Sequence, residues 1–277
     1  MYNNSGPPRL YLSLKFLLLK KNMKMKHTRL AIYSGLLFCL TSHLAFSQSS
    51  SRFSPNNYIE KGDTLRYRML FPDADTLRKY PLIIFLHGSG ERGNDNEAQL
   101  KWGVTNFATD ENMVRHPAIV IAPQCPERGS WSNFSRSDMK LQPTPTKPME
   151  LLIGLIHKLI KTMPVDSNRI YITGLSMGGY GTYDAIERYP HLFAAAIPVC
   201  GAGDTSKVSS IVHLPIWIVH GAEDPAVNPK FSLDMLNALT RAGAYPGFTQ
   251  YPEVGHFSWL GAYSDALIME WLFRQHR

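Results

Sequence analysis

The chain is poor in cysteine, with three among its 277 residues. That number excludes the disulfide-dense scaffold of small secreted domains. No Cys or His spacing typical of a zinc site is present, and the sequence predicts no metal and no cofactor. Cys125 and Cys200 follow predicted strands that lie three strand spacings apart, or about 14 Å at roughly 4.8 Å each. Because a disulfide needs Cα atoms within about 7 Å, both are predicted to be free thiols.

The first 47 residues contain no aspartate or glutamate. Seven of the 29 lysines and arginines lie there, which leaves 22 basic residues against 22 acidic ones in the rest of the chain. The formal charge of +7 therefore belongs to the N-terminal segment and not to a binding surface. This distribution argues against nucleic acid as a partner.

No apolar run reaches the roughly 20 residues that a membrane-spanning helix needs. The run from Leu30 to Leu40 follows the basic stretch 24–29 and precedes Ala45-Phe46-Ser47. This order is typical of a secretory signal peptide. Residues 1–47 are thus predicted to be a cleaved leader of an exported protein with no stable membrane span after cleavage. An uncleaved anchor is the alternative, and Met23 or Met25 is an alternative start.

The rest of the chain alternates apolar strands with helices. Residues 48–57 are polar and predict a flexible lead-in, and residues 58–277 predict one catalytic domain. Thr64–Phe71 alternates as an early strand, and short apolar runs predict buried strands at 82–86, 118–122, 169–173, 194–199 and 215–219. Helices are expected at 149–163, 179–189, 230–242 and 264–274. This alternation predicts an α/β fold with a mostly parallel, doubly wound sheet and its site at the strand C-termini.

The pentapeptide Gly174-Leu-Ser176-Met-Gly178 lies between a predicted strand and a predicted helix. That context is the one a nucleophile elbow requires, because the glycines permit a sharp turn that exposes the serine hydroxyl. Ser176 is therefore the candidate nucleophile. Met177, the next residue, would give one main-chain N–H to an oxyanion hole.

Two partners follow in the expected chain order. Asp224 comes after the strand 215–219, and His256 lies in a loop before the last helix. The order Ser176, Asp224, His256 matches the α/β-hydrolase order of a Ser-His-Asp triad. Asp204, which follows the preceding strand, is a rival for the acid.

The segment His87-Gly88-Ser89-Gly90 follows an apolar strand and predicts the second part of the oxyanion hole. Ser89 is the leading donor there, and Gly88 and Gly90 are its substitutes. Glu91 and Arg92 flank this loop. Glu91 is a candidate pocket residue, and the alternative is that the two residues form ion pairs that brace the loop. His87 and His220 are predicted to be structural.

Two loop lengths bear on the substrate. Residues 201–214 leave room for one short helix, so no large cap domain is expected. Residues 124–147 are long, polar and rich in proline, and predict one wall of the substrate pocket. Trp131 and Trp259 are candidates for aromatic surface against a ring or sugar, with anchoring of their own loops as the alternative.

Three motifs carry a resemblance to a known family. They are Leu86-His-Gly-Ser-Gly-Glu-Arg-Gly-Asn94, Gly174-Leu-Ser-Met-Gly-Gly-Tyr-Gly181 and His220-Gly-Ala-Glu-Asp224. They resemble secreted bacterial α/β-hydrolase esterases of the phospholipase/carboxylesterase and polyhydroxybutyrate-depolymerase-like branch, near feruloyl and acetylxylan esterases. The resemblance implies the α/β-hydrolase fold, a Ser176–His256–Asp224 triad, and an oxyanion hole made by Met177 and the 87–90 loop.

The function expected from these residues is an exported carboxylesterase that works through an acyl-enzyme. Its predicted substrate is an ester, with acyl or feruloyl groups on sugars or polysaccharides as the favoured class. Two alternatives stay open: a prolyl-oligopeptidase-like serine peptidase and an inactive binding protein on a hydrolase scaffold. The sequence indicates no particular oligomeric state.

Overall fold

The computed structural model describes residues 50–72, 75 and 77–277. The predictions for residues 1–47, a leader with a signal peptide and its cleavage site, lie outside these residues. Within the described part of the chain, no helix is both long enough and apolar enough to cross a bilayer.

The described residues form ten strands. They are β1 (Phe53–Glu60), β2 (Asp63–Leu70), β3 (Tyr80–Leu86), β4 (Ile119–Pro123), β5 (Phe134–Ser135), β6 (Lys140–Leu141), β7 (Val165–Leu175), β8 (Ala195–Val199), β9 (Trp217–Gly221) and β10 (Gly247–Tyr251). Eight of them make one sheet in the order β1-β2-β4-β3-β7-β8-β9-β10, while β5 and β6 pair separately. In the large sheet the β1–β2 and β2–β4 pairs are antiparallel. The other six strands, β4, β3, β7, β8, β9 and β10, run parallel to one another.

Six α-helices lie in the same residues. They are α1 (Asp110–Arg115), α2 (Lys147–Thr162), α3 (Met177–Arg188), α4 (Lys230–Arg241), α5 (Trp259–Ala262) and α6 (Ala266–Phe273). Short 3-10 turns occupy Ser89–Glu91, Ala98–Leu100, Val104–Ala108 and Thr205–Ser210. The α/β-hydrolase fold expected from the sequence, a mostly parallel sheet wound with helices, is thus confirmed.

Strand β3 shows why the apolar runs form the middle of the sheet. Successive side chains of a strand point to opposite faces. Leu82, Ile84 and Leu86 join one hydrophobic cluster, and Ile83 and Phe85 join another on the other face. A strand covered on both faces needs an unbroken apolar sequence, which is what parallel sheets show.

Strand β1 corrects the predicted lead-in over residues 48–57. From Phe53 onward the chain pairs with β2, in a register that runs from Phe53 opposite Leu70 to Glu60 opposite Asp63. The side chain of Phe53 is buried, and β1 forms the edge of the sheet. An edge strand tolerates polar residues and a proline, which is why its sequence resembles a linker.

The loop after β8 is short, as the sequence predicts. Between β8 and β9 the described chain has only the 3-10 turn Thr205–Ser210, and no cap domain is inserted there. The long segment 124–147 folds back as the small β5–β6 hairpin. Both Cys125 and Cys200 are buried and free, as predicted.

Candidate active site

Ser176 occupies a strained turn between β7 and α3. Its φ is +55° and its ψ is −115°, a conformation that a residue with a side chain rarely adopts. The turn is held by the N–H of Ser176, which donates to the carbonyl of Val199 at 3.0 Å. A side chain at Gly178 would lie 2.0 Å from the carbonyl oxygen of Leu86, so glycine is required there. The strain is consistent with a hydroxyl held out for chemistry.

His256 joins Ser176 to a buried acid. Its Nε2 lies 3.0 Å from the Ser176 Oγ, and its Nδ1 lies 2.7 Å from the Asp224 Oδ2. The loops that carry the two partners are tied together, because the N–H of Glu223 donates to the carbonyl of Val254 at 3.0 Å. The structure therefore brings together the three residues that the sequence singled out.

Asp224 is the fixed acceptor of this arrangement. Burial favours its neutral form, but hydrogen bonds from His256 and from the amides of Val227 and Ala226 outweigh burial and lower the pKa of the carboxyl below its usual range. The two amides donate to Oδ1 at 2.9 and 2.8 Å. An ionised Asp224 assigns the proton of neutral His256 to Nδ1, which leaves Nε2 free to accept from Ser176.

A second histidine, His220, lies on the other side of Asp224. Its Nε2 lies 3.0 Å from the carbonyl of Val227 and 3.3 Å from Asp224 Oδ2, and its Nδ1 lies 2.7 Å from the Ser232 hydroxyl. Burial lowers the pKa of His220. The ring is fully buried, so it is placed as a support for the Asp224 loop rather than as a proton carrier.

Cys200 completes the surroundings of the nucleophile. Among the described residues, the ligand atoms of Cys200, Asp224 and His256 form the one three-member group close enough to hold a metal ion. Burial raises the pKa of the Cys200 thiol to about 12, which opposes the thiolate that a metal requires. His256 and Asp224 are already hydrogen-bonded to each other, and the Ser176 N–H donates to Cys200 Sγ at 3.3 Å. The group suits proton transfer better than metal binding.

The region of the predicted oxyanion hole is made by the start of α3 and the loop after β3. Met177 is the first residue of α3, and the first amides of a helix have no carbonyl partner inside it. In the loop, Ser89 lines the cavity beside Ser176, whereas Gly88 does not. Ser89 is therefore the better placed donor.

Two predicted pocket residues belong to the support of this loop. Glu91 is buried, and burial raises the pKa of its carboxyl. Trp131 is fully buried, and its indole donates to the carbonyl of His87 at 3.2 Å. The prediction that these side chains face the substrate is wrong, because both are packed beneath the loop and brace it.

His87 has the structural role predicted for it. Its Nδ1 lies 2.6 Å from the carbonyl of Gly88, and its Nε2 accepts from the Cys125 amide at 2.9 Å. Burial lowers the pKa of His87 to about 4, so the ring is neutral near pH 7. A neutral ring can donate at one nitrogen and accept at the other, as this site requires.

A cavity of about 140 Å³ opens beside the nucleophile. Its walls come from the oxyanion loop, from the segment 124–147 and from the start of α3. The residues that line it are Ser89, Arg92, Ser130, Ser132, Phe134, Arg136, Ser176, Met177 and Tyr180. Segment 124–147 therefore lines this cavity, although Trp131 is not the residue that faces it.

The surroundings of His256 are aromatic. The ring of Trp259 packs edge-on against His256, with centroids 5.1 Å apart. Trp259 itself is buried, so it supports the histidine, whereas Phe257 is 52% exposed. Phe257 lies 5.8 Å from Trp102, measured between ring centroids. Burial of Trp259 fits the loop-anchoring alternative, and the accessible aromatic surface beside His256 belongs to Phe257.

The rival acid Asp204 has a different environment. It forms an ion pair with Lys140 at 3.2 Å and accepts from the amides of Leu141 and Ser206. These contacts tie the β5–β6 hairpin to the loop after β8. Asp224, and not Asp204, is the carboxylate that contacts His256.

The site can perform acyl transfer. A serine whose hydroxyl is hydrogen-bonded to a histidine, itself held by a buried carboxylate, is the arrangement that activates an alcohol as a nucleophile. The sequence motifs located these three groups. Arg136 and Tyr180 were missed, because they belong to no motif and reach the cavity only through the fold of the hairpin and of α3.

Known proteins similar to this chain include esterases. The phospholipase/carboxylesterase family matches residues 74–266. The bifunctional acetylxylan esterase/xylanase XynS20E of Neocallimastix patriciarum is 28% identical over 173 residues, which cover 62% of this chain and 23% of that protein. Lysophospholipase-like protein 1 of Mus musculus is 26% identical over 200 residues, which cover 66% of this chain and 82% of that protein.

Solved structures give the same fold. A thermostable esterase superposes with a TM-score of 0.79 at 41% identity, over 83% of this chain and 64% of that one. A ferulic acid esterase superposes with a TM-score of 0.64 at 16% identity, over 80% of this chain and 98% of that one. This chain therefore spans about a quarter of the acetylxylan esterase/xylanase and under two thirds of the thermostable esterase.

Proposed function

The chain belongs to the phospholipase/carboxylesterase family, and on that basis we propose that it hydrolyses carboxylic esters with Ser176 as nucleophile, His256 as general base and Asp224 as the acid that orients the histidine. The observation that carries the proposal is the unbroken hydrogen-bond chain from the Ser176 hydroxyl through His256 to Asp224. The esterase relatives support an ester-hydrolysing enzyme.

In the proposed reaction the Ser176 Oγ attacks the ester carbonyl carbon while its proton passes to His256 Nε2. The carbonyl oxygen becomes an oxyanion, which the N–H groups of Met177 and Ser89 stabilise. The intermediate collapses as His256 gives the proton to the departing alcohol. Water then attacks the acyl-enzyme with His256 again as base, and the acid leaves. Losing one oxyanion donor typically costs about 3–4 kcal/mol of transition-state stabilisation.

The proposed substrates are acyl groups, including acetyl and feruloyl, on sugars or polysaccharides. Three features support this class. The described chain has no cap over the strand ends. One relative carries acetylxylan esterase in its name. A half-exposed phenylalanine, Phe257, lies beside the catalytic histidine and offers a flat surface to a sugar ring of the alcohol.

We propose that the protein is exported, with residues 1–47 removed. Support comes from the basic stretch, the apolar run and the small residues that follow it in the sequence. Edman sequencing of the protein recovered from the culture medium or periplasm tests the proposal. A first residue near Gln48 is expected, and an intact N-terminus would contradict cleavage.

Hydrolysis of p-nitrophenyl acetate and methyl ferulate by the purified protein tests the ester function, with Ser176→Ala as background. Turnover of both esters supports a pocket that accepts aromatic acids. Turnover of the acetate alone favours acetylated sugars. Failure with both contradicts the proposal. A p-nitroanilide of the same acyl group, run in parallel, separates the esterase from the peptidase alternative, because only the peptidase is expected to cleave the anilide well above the Ser176→Ala background.

A further inference from the structure

Two arginines without charge partners line the cavity beside Ser176. Arg92 comes from the oxyanion loop and Arg136 from the β5–β6 hairpin. Neither has an ion-pair partner among the described residues. None of the residues of the described chain that line the cavity is acidic. The cavity is therefore a small, positively charged chamber.

Arg92 is held in place by the main chain. Its Nε donates to the carbonyl of Gly129 at 2.7 Å, and one of its terminal nitrogens donates to the carbonyl of Ser89 at 3.4 Å. These bonds fix the guanidinium without neutralising it, because carbonyl oxygens carry no net charge. A guanidinium presents five N–H donors in a planar fork, so two such contacts leave donors for a ligand.

Arg136 is positioned by an aromatic ring. Its Cζ lies 5.0 Å from the ring centroid of Tyr180, over the face of the ring. Tyr180 is on α3, one turn beyond Ser176, and its N–H donates to the Ser176 carbonyl at 3.0 Å. Tyr180 thus places the exposed Arg136 guanidinium next to the helical turn that follows the nucleophile.

The position of the cavity indicates which part of an ester it would receive. His256 must deliver a proton to the departing alcohol, so the alcohol lies on the histidine side. His256 and Trp259 do not line the cavity, which lies between the oxyanion loop, the hairpin and the start of α3. The acyl chain would therefore extend into the cavity, toward Arg92 and Arg136.

We propose that this cavity binds a carboxylate at the far end of the acyl group, so that half-esters of short dicarboxylic acids are preferred substrates. A carboxylate is the anion whose geometry a guanidinium fork matches. The volume of about 140 Å³ suits a short acyl chain. The inference rests on the proposed ester hydrolysis, but it does not depend on the alcohol being a sugar.

The competing explanation is that the two arginines stabilise the oxyanion of any ester by their positive charge. Cations near the oxyanion would accelerate every ester alike, whatever the far end of its acyl group. A carboxylate-binding role acts only on the charged substrate. The ratio of kcat/KM between a charged ester and a neutral ester of the same shape therefore separates the two accounts.

The test compares monoethyl succinate with ethyl 4-methylpentanoate, whose branched end has the shape of a carboxylate but no charge. Ethanol release is measured for both at low ionic strength. We expect kcat/KM to be about tenfold higher for the succinate half-ester. Arg136→Gln and Arg92→Gln should each lower that ratio about tenfold, and Arg136→Lys should restore part of it. Salt near 1 M should reduce the ratio, because it screens exposed charges beyond about 3 Å.

Arg241→Gln is the matched control, since Arg241 is an exposed arginine at the end of α4. It should change neither rate. Circular dichroism confirms that the Arg92 and Arg136 variants are folded. A succinate-to-methylpentanoate ratio of kcat/KM of one or less in the wild type, or a ratio unchanged in both variants, would overturn the inference. Activity on p-nitrophenyl acetate would then leave the ester function standing. If the wild type hydrolysed none of the three esters, the ester function itself would be contradicted.

Discussion

The two sides of Ser176 differ in chemistry. On the His256 side the walls are aromatic, with Phe257 exposed and Trp259 packed against the histidine. On the oxyanion-loop side the walls are polar and cationic, with Arg92 and Arg136 among serine hydroxyls. The first side would contact the alcohol by apolar burial and stacking, and the second would contact the acyl group by charge. An ester is thus selected at its two ends by different forces, and variants on either side should separate them.

Removing the nucleophile should abolish selection at both ends of the ester, because both sides act on a reaction at Ser176. Ser176→Ala is expected to lower kcat for every ester by about 10⁵ or more. Ser209, an exposed serine of the 3-10 turn after β8, provides the control variant Ser209→Ala, which should keep full activity. Steady-state hydrolysis of p-nitrophenyl acetate measures both. Residual activity near that of the wild type would mean that another residue is the nucleophile.

The two candidate acids give the next largest effect. Asp224→Asn should lower kcat about 10⁴-fold, because an amide no longer holds His256 in the required tautomer. Asp204→Asn should leave kcat per folded molecule within a few-fold and lower stability, since Asp204 ties the hairpin to the loop after β8. Active-site titration corrects the rates for folded enzyme. The reverse order of the two rates would identify Asp204 as the acid.

Acidification should loosen the oxyanion-loop side. Buried His87 has a pKa of about 4, against 6.5 for its ordinary value. Between these pH values the histidine is protonated in the unfolded chain but neutral in the folded one. The contribution of His87 to the free energy of unfolding is therefore full above pH 6.5 and falls as the pH drops toward 4. The loss is expected to be about 3 kcal/mol.

Urea unfolding at a series of pH values between these limits measures that loss. His87→Gln should weaken the dependence, because one of the two buried histidines with a lowered pKa is gone. His157→Gln, which changes an exposed histidine on α2, should keep the wild-type slope. Equal slopes in all three proteins would show that His87 does not control acid stability.

The aromatic side should give the smallest effect. Phe257→Ala is expected to raise the KM for a benzyl or sugar ester about three- to tenfold, since a stacked ring contributes about 0.5–1.5 kcal/mol. The KM for the methyl ester of the same acid should change less, because methanol offers no ring to stack. It should not change the ratio between monoethyl succinate and ethyl 4-methylpentanoate. Leu267→Ala, at an exposed leucine of α6, is the control. A change in acyl selectivity would contradict the division between the two sides.

How far the sequence foretold the site depended on whether a residue's role is local. Ser176 and its glycines were identifiable because the turn itself demands those residue types within five positions. Asp224 and His256 followed from their order after buried strands. The sheet was predictable for a similar reason, since strands covered on both faces need unbroken apolar runs.

Residues whose role depends on distant packing were harder to assign. Trp131 was predicted to face substrate, but its indole reaches the His87 carbonyl under the loop. Glu91 is likewise buried beside Gly88 and Trp102. Arg136 carries no motif and enters the cavity only because the hairpin folds over Tyr180. Strand β1 was missed because an edge strand requires little apolar sequence.

Labelling with a fluorophosphonate tests most directly the claim that Ser176 is an activated nucleophile. The reagent forms a phosphonyl ester with a serine whose hydroxyl is deprotonated by a neighbouring base. Peptide mapping of the labelled protein by mass spectrometry should place a single adduct on the peptide that contains Ser176, with no adduct in Ser176→Ala. An adduct on another serine, or no adduct on folded wild-type protein, would contradict the account.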